Sequence, residues 1–256
     1  MIKEKLIIHH NSGIGDHIIC NGLVNYFAER KKIFLICLFN NYISIKYLYS
    51  ENISVTVLPV PTLKFINKFI KKVFNNNKFD LHKSFSKFYS ILFFCNLLYV
   101  GFDKIKYPEW DRSFYETNKL SFNIRYEKLR LPKKEPSFPK KINLEDEYIL
   151  IQDETSKSKA KFELKIHSEY KKIYINKKLT KNFFSNIHLI KNAKEIHCID
   201  SSLVHLVEAV DDINSQLFFH DIRKHYQNSF FSARKFWNIV KYDDCTTWGS
   251  GIKLSN

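Results

Sequence analysis

The stretch "KLIIHHNSGIGDHIICNGLVNYFAER", Lys5 to Arg30, decides the reading of the fold. Its apolar start, "KLIIHH", has the length and composition of a strand. The chain then enters Ser12-Gly13-Ile14-Gly15-Asp16. Beyond it Ile18, Ile19, Leu23, Val24 and Phe27 recur at helical spacing, which predicts one helix over Ile14–Arg30. Two glycines at a strand-to-helix turn let the backbone approach another group closely. The acid that follows them, Asp16, suggests that this group is a reactant.

Working outward, strands and helices alternate. "KIFLICLF" (32–39) is a near-continuous apolar run, as expected of a parallel strand covered on both faces. "YISIKYLYS" reads as a helix and "ISVTVLPV" (53–60) as a third strand. "RLPKKEPSFPKKINLEDE" (130–147) carries three prolines and a charge run, and reads as a linker. After it the alternation restarts. Strands are expected at 147–152, 171–176, 195–200, 215–220 and 236–240, with helices at 182–192 and 202–210. The expected class is α/β, in two doubly wound halves, 1–135 and 136–256.

The 256 residues are enough to bury a proper core, and 45% of them are apolar. A net charge of +15 favours a polyanionic partner: nucleic acid, an anionic membrane surface or a phosphorylated substrate. Abundant Lys, Asn, Ile and Phe are also what AT-rich coding produces. The basic stretch 61–74 sets lysines among Phe and Ile at helical spacing. It reads either as a surface helix packed on the sheet or as a peripheral membrane contact.

Five scattered cysteines, Cys20, Cys37, Cys95, Cys198 and Cys245, form no CxxC pair, which points to buried free thiols and a cytoplasmic setting. The longest apolar run, 91–102, falls short of the ~20 residues that span a bilayer.

Several chemistries are disfavoured. Ile18 stands where a dinucleotide G-x-G-x-x-G would place its third glycine, and the second strand ends in Asn40 and Asn41 rather than an acid. The P-loop pattern is absent. No D-x-D metal signature occurs, since Asp211-Asp212 and Asp243-Asp244 are adjacent pairs of turn type. Neither a metal nor an organic cofactor is expected.

A second constellation lies at "CIDSSLVHLVEAV" (198–210). A strand ends in Asp200, Ser201 and Ser202 follow, and His205 sits in the first turn of a helix. Free N–H groups at a helix start beside two hydroxyls make an anion site. The plain structural alternative is N-capping by Ser201 or Asp200. "FFHDIRKHY" puts His220 at a strand end with Arg223 just beyond, either within reach of a phosphate or in a solvated loop. "WDRSFYE" (110–116) reads either as a helix cap with a packed first turn, the preferred reading, or as part of the acceptor side of a cleft.

The strand followed by "SGIGDHIICNGLV" resembles the N-terminal turn of the heptosyltransferase-like GT-B glycosyltransferases, which carry G-x-[LI]-G-D. "CIDSSLVHLVEAV" resembles their D-[ST]-[GS]-x-x-H-[LV] motif. The stretches "WDRSFYETNKLSFNIRYEKLRLP" and "LFFHDIRK" are similar to segments of bacterial and viral relatives of that group. The resemblance implies a GT-B fold of two Rossmann-like domains facing across a cleft. It implies transfer of a sugar from a nucleotide-sugar donor to a glycan or lipid-linked acceptor.

Residue by residue, the resemblance makes Asp16 the general base. Gly13, Gly15 and His17 become the substrate-binding turn, and Asp200, Ser201, Ser202 and His205 the donor motif. Thr155, Ser156 and either Lys157 or Lys159 of "DETSKSK" fall on the donor phosphates. Ser202 departs from the glycine of many members, and the chain is short for two full Rossmann halves. A basic nucleic-acid- or membrane-surface-binding protein without catalysis is the competing reading, although the motifs do not call for nucleic acid.

Overall fold

Past Lys5 every residue of strand β1 (Lys5–His10) is buried, which places it in the interior of its sheet. The structure, a computed structural model, describes residues 3–10, 13–61, 81–101, 110–134, 136, 146–154, 164–176, 179–222 and 232–242. The chain divides into two units, Met1–Ile105 with Ser113–Pro132, and Lys106–Arg112 with Lys133–Asn256.

In the first unit, β1 is followed by α1 (Ile14–Ile19), α2 (Asn21–Ala28), β2 (Lys32–Leu38), α3 (Tyr42–Leu48) and β3 (Val55–Val60). Then come α4 (Leu81–Leu92), β4 (Asn96–Val100), α5 (Trp110–Glu116), whose first three residues are counted with the second unit, and α6 (Ile124–Glu127). The strands pair in parallel in the order β3-β2-β1-β4. Parallel neighbours need crossovers, and the crossover helices cover the sheet. Ile7, Ile36 and Val60 bury one face against Phe85 and Tyr89 of α4, while α2 and α3 pack on β2.

Two expectations change here. The single helix over Ile14–Arg30 is two helices joined at Cys20, whose φ of −79° and ψ of 0° break the regular turn. Beyond the joint, Gly22 meets the backbone of α6: a Cβ there would lie 2.3 Å from the Ile124 carbonyl oxygen. The apolar run that begins at 91, expected only to be too short for a membrane span, holds the end of α4, a turn and β4, a strand absent from the expected set.

In the second unit, β5 (Tyr148–Gln152), β6 (Lys171–Tyr174), β7 (Glu195–Ile199), β8 (Gln216–Asp221) and β9 (Asn238–Lys241) pair in parallel in the order β6-β5-β7-β8-β9. The helices α7 (Ile187–Asn192) and α8 (Ser202–Ala209) flank β7 in sequence. Ile149, Ile151, Ile199, Ile222, Leu164 and Tyr242 form a core on one face. Both sheets are parallel and helices alternate with their strands in the described residues, so the α/β class of two Rossmann-like sheets stands.

Cys20, Cys37, Cys95 and Cys198 are free thiols, and Cys245 lies outside the described residues. Among the described residues no helix is long and apolar enough to cross a membrane. Most of the expected linker and of the basic stretch 61–74 falls outside the described residues.

Candidate active site

In a doubly wound sheet, ligands bind at the carboxyl ends of strands where the winding direction reverses. In the first sheet the chain leaves β1 toward β2 and β3, then returns to β4 on the other side of β1. The reversal therefore lies between β1 and β4, whose ends pair as His10 with Val100. In the second sheet β5 leads outward to β6, and the chain returns to β7 on its other side. That reversal lies between β5 and β7, where Gln152 pairs with Cys198. The Gly13–Asp16 turn follows β1, and the Asp200–Ser202 turn follows β7. Each constellation occupies the reversal point of its own sheet.

At the first turn Asp16 is the third residue of α1 and is half-buried. Its Oδ2 accepts the Gly13 N–H at 3.1 Å, which satisfies a donor that the helix start would otherwise leave open. Gly13 has φ −72° and ψ 152°, ordinary extended backbone. Its need for glycine comes from crowding instead: a Cβ there would lie 2.8 Å from Asp16 Oδ2. So the group that Gly13 lets near is the protein's own carboxylate. Gly15 is the second residue of α1 and half-buried.

His17 turns inward and is fully buried. Its ring meets the His10 ring edge-on, with centroids 4.1 Å apart. Among the described residues neither ring nitrogen of His17 has a hydrogen-bond partner. Burial first, and then the neighbouring His10 and His9, hold its pKa well below the ordinary histidine range. It is therefore a neutral imidazole in the wall behind Asp16. One turn beyond Asp16, burial raises the Cys20 thiol, and the Asp16 charge raises it further.

At the second turn Asp200, Ser201 and Ser202 are half-buried. The cap on α8 comes from a residue the sequence did not single out. Gln152, the last residue of β5, accepts the Leu203 N–H at 3.1 Å and the Ser201 hydroxyl through the same Oε1. The helix start is thus capped across the strand gap, and the Ser201 side chain makes no cap bond of its own. Only contact across the sheet reveals this, because Gln152 and Leu203 are far apart in sequence. His205 is 3% exposed and lies edge-on to the Trp110 ring, centroids 5.6 Å apart. Beside Trp110, buried Asp111 accepts the Ser232 N–H at 2.9 Å and the Arg112 N–H at 2.9 Å.

His220 is not brought to this turn. It is fully buried within β8, and both of its ring nitrogens are engaged. Nε2 lies 3.0 Å from His197 Nδ1, and Nδ1 lies 2.7 Å from the Tyr242 hydroxyl. His197 Nε2 lies 3.0 Å from Glu195 Oε2, and the Lys165 N–H donates to Tyr242 at 2.8 Å. With both rings neutral and Glu195 a carboxylate, one proton arrangement fits. Lys165 N–H donates to the Tyr242 oxygen, Tyr242 O–H to His220, His220 N–H to His197, and His197 N–H to Glu195. Burial, then the nearby His197, brings His220 down to about 3. Burial likewise lowers His197, against the pull of Glu195.

Thr155, Ser156, Lys157, Lys159 and Arg223 lie outside the described residues.

No family model matches the chain, and no curated protein matches it. Two solved structures resemble it. One is the iron-containing dodecameric glycosyltransferase TibC from enterotoxigenic E. coli, at 10% identity and a TM-score of 0.47, over 86% of this chain. This chain spans only 58% of the TibC chain. The other is the glycosyl transferase family 9 protein from Veillonella parvula, at 8% identity and a TM-score of 0.49, over 93% of this chain and 87% of that one. At this level neither structure lends its activity to this chain.

Proposed function

We propose that the protein is a glycosyltransferase that moves a sugar from a nucleotide-sugar to a glycan or lipid-linked acceptor hydroxyl. The observation that supports this reading best is the placement of the two motifs. An acid sits at the reversal point of one parallel sheet, and a hydroxyl-rich helix start sits at that of the other. The first unit then serves the acceptor and the second the donor.

In the reaction the acceptor oxygen bonds to the anomeric carbon while the bond from that carbon to the diphosphate oxygen breaks. Asp16 takes the acceptor hydroxyl's proton. A carboxylate offers about four lone-pair sites, so accepting the Gly13 N–H does not by itself exhaust it. The departing diphosphate carries new charge, which the start of α8 and the Ser202 hydroxyl are suited to meet, while Gln152 holds the Leu203 N–H and the Ser201 hydroxyl in place. Lys157 or Lys159 adds a cation. Direct attack with Asp16 as base inverts the anomeric centre, and no metal is required for these roles.

Calorimetry with UDP, GDP, ADP, dTDP, CDP and CMP in the presence of EDTA tests the reading. One nucleotide is expected to bind at micromolar strength. If none binds, and heparin or duplex DNA binds with steep salt dependence, the basic surface is the function instead.

A further inference from the structure

The C-terminal end of α4 is built at a cost that its own unit does not recover. The helix closes with a double turn: Cys95 N–H donates to Ser90 O at 3.0 Å and Phe94 N–H to Ile91 O at 3.2 Å. This pattern puts the residue after the cap in the left-handed region, where glycine is the usual choice. Here the residue is Phe94, with φ 50°. The residue before it, Phe93, stacks flat on Phe34 at 4.8 Å and on Tyr89 at 5.9 Å. Phe93 therefore anchors the turn to the sheet. Phe94 points away and is 93% exposed. It takes on backbone strain that glycine would avoid and gives no packing in return.

It does not stand alone. Phe88, Ile91 and Leu92 are exposed at helical spacing leading up to it, with Ile91 at 72%. The adjoining stripe, Phe85 and Tyr89, packs on the core. So the apolar face of α4 is wider than the sheet covers, and its outer part meets solvent. The sequence leading up to it is basic. From 62 to 95 the sequence holds seven lysines against one acid, Asp80, and Lys87 lies exposed in the same helix.

We infer that the end of α4 is a membrane-docking wedge, in which Phe88, Ile91, Leu92 and Phe94 enter the acyl boundary of an anionic phospholipid surface. Lys87, exposed in the same helix, meets the headgroups. Aromatic and aliphatic insertion combined with lysine contacts is how interfacial helices hold an anionic bilayer. The assignment is independent of the glycosyltransferase reading, because no residue of either motif takes part.

The test is co-sedimentation of the full chain with phosphatidylcholine vesicles, with and without phosphatidylglycerol, alongside thermal unfolding. The intact protein is expected to bind the anionic vesicles, and more weakly as salt rises. Phe94→Gly should weaken that binding about tenfold, the scale of one aromatic side chain kept out of an apolar phase. The same change should hold or raise the melting temperature, because glycine relieves the left-handed strain. Lys87→Glu should weaken binding to the anionic vesicles alone. Undiminished binding by Phe94→Gly, or a marked fall in its melting temperature, overturns the assignment. So does an intact protein that binds neither vesicle. A dimer of the intact chain that Phe94→Gly converts to monomers, with vesicle binding unchanged, assigns the surface to a second copy instead.

Discussion

Asp16 carries two tasks on one carboxylate: it accepts the Gly13 N–H at the helix start and, in the proposed reaction, the acceptor's proton. These tasks separate by mutation. Asp16→Asn keeps an oxygen for the Gly13 N–H but loses the base, so turnover should fall about 10²–10⁴-fold with nucleotide binding intact. Single-turnover transfer beside calorimetry measures both, and unchanged turnover sinks the base assignment. Gly13→Ala is the converse. Its methyl would crowd Oδ2 from 2.8 Å, so the carboxylate must move while the side chain stays ionisable. Turnover should fall about tenfold or more for a displaced base, with urea stability little changed. The importance of Asp16 was legible in the sequence, because glycines and an acid after an apolar strand form a local pattern. Its Gly13 contact was legible only in part: the glycines suggested a close approach, but not that the visitor is the acid three residues on. His220 misled for a related reason. A histidine at a strand end looks available, and nothing local shows that His197, two strand positions from Glu195, will engage it in the next strand.

At the scale of elements, the strands other than β4 followed from their apolar runs, with boundaries within two residues of those seen; β4 was missed because its residues continue the apolar end of α4. The period of a buried parallel strand is hard to mistake when turn residues bracket it. Joints were harder. The break at Cys20 has no breaker residue to announce it, and the α2–α6 contact depends on a glycine whose partner lies far along the chain. Gly22→Ala tests that contact. Its methyl would sit 2.3 Å from the Ile124 carbonyl oxygen and 2.6 Å from that of Arg125, both backbone atoms that a side-chain rotation cannot relieve. Separating α2 from α6 should cost about 1–3 kcal/mol, the range for overpacking. A urea midpoint equal to that of the unaltered chain would show that the helices are not held so tightly. Gln152 was invisible for the same reason as the Gly22 contact. Its role exists only because β5 and β7 are neighbours in the sheet but not in sequence. Gln152→Ala removes the oxygen that accepts the Leu203 N–H and the Ser201 hydroxyl, so it should cost about 1 kcal/mol, as loss of a helix cap does.

Across the whole molecule, buried neutral histidines tie stability to pH. His17 in the first unit, and His197 and His220 in the second, are all held below the ordinary histidine pKa, chiefly by burial. Unfolding releases them to a value near 6.5. Below that pH the unfolded chain binds protons that the folded chain refuses, so stability falls as pH falls. Above it both states are neutral and these residues contribute no slope. For His220 the window runs from about 6.5 down to its folded value of about 3. Each such histidine contributes about 1.4 kcal/mol per pH unit inside its window. The hydrogen-bond chain sharpens the effect in the second unit. A proton added to His220 Nδ1 would confront the Tyr242 hydroxyl with a donor where it now meets an acceptor. The net charge of +15 acts in the same direction, since further protons raise self-repulsion. Urea unfolding across pH 4 to 8 should therefore show stability climbing with pH and levelling off near neutrality. His220→Gln should lower the plateau, because an amide cannot satisfy both His197 and Tyr242 in the same way. It should also flatten the climb by about one proton, since no titrating group remains at that position. A variant with a lower plateau and an unchanged slope would show that His220 is protonated alike in both states, and the neutral relay would be wrong.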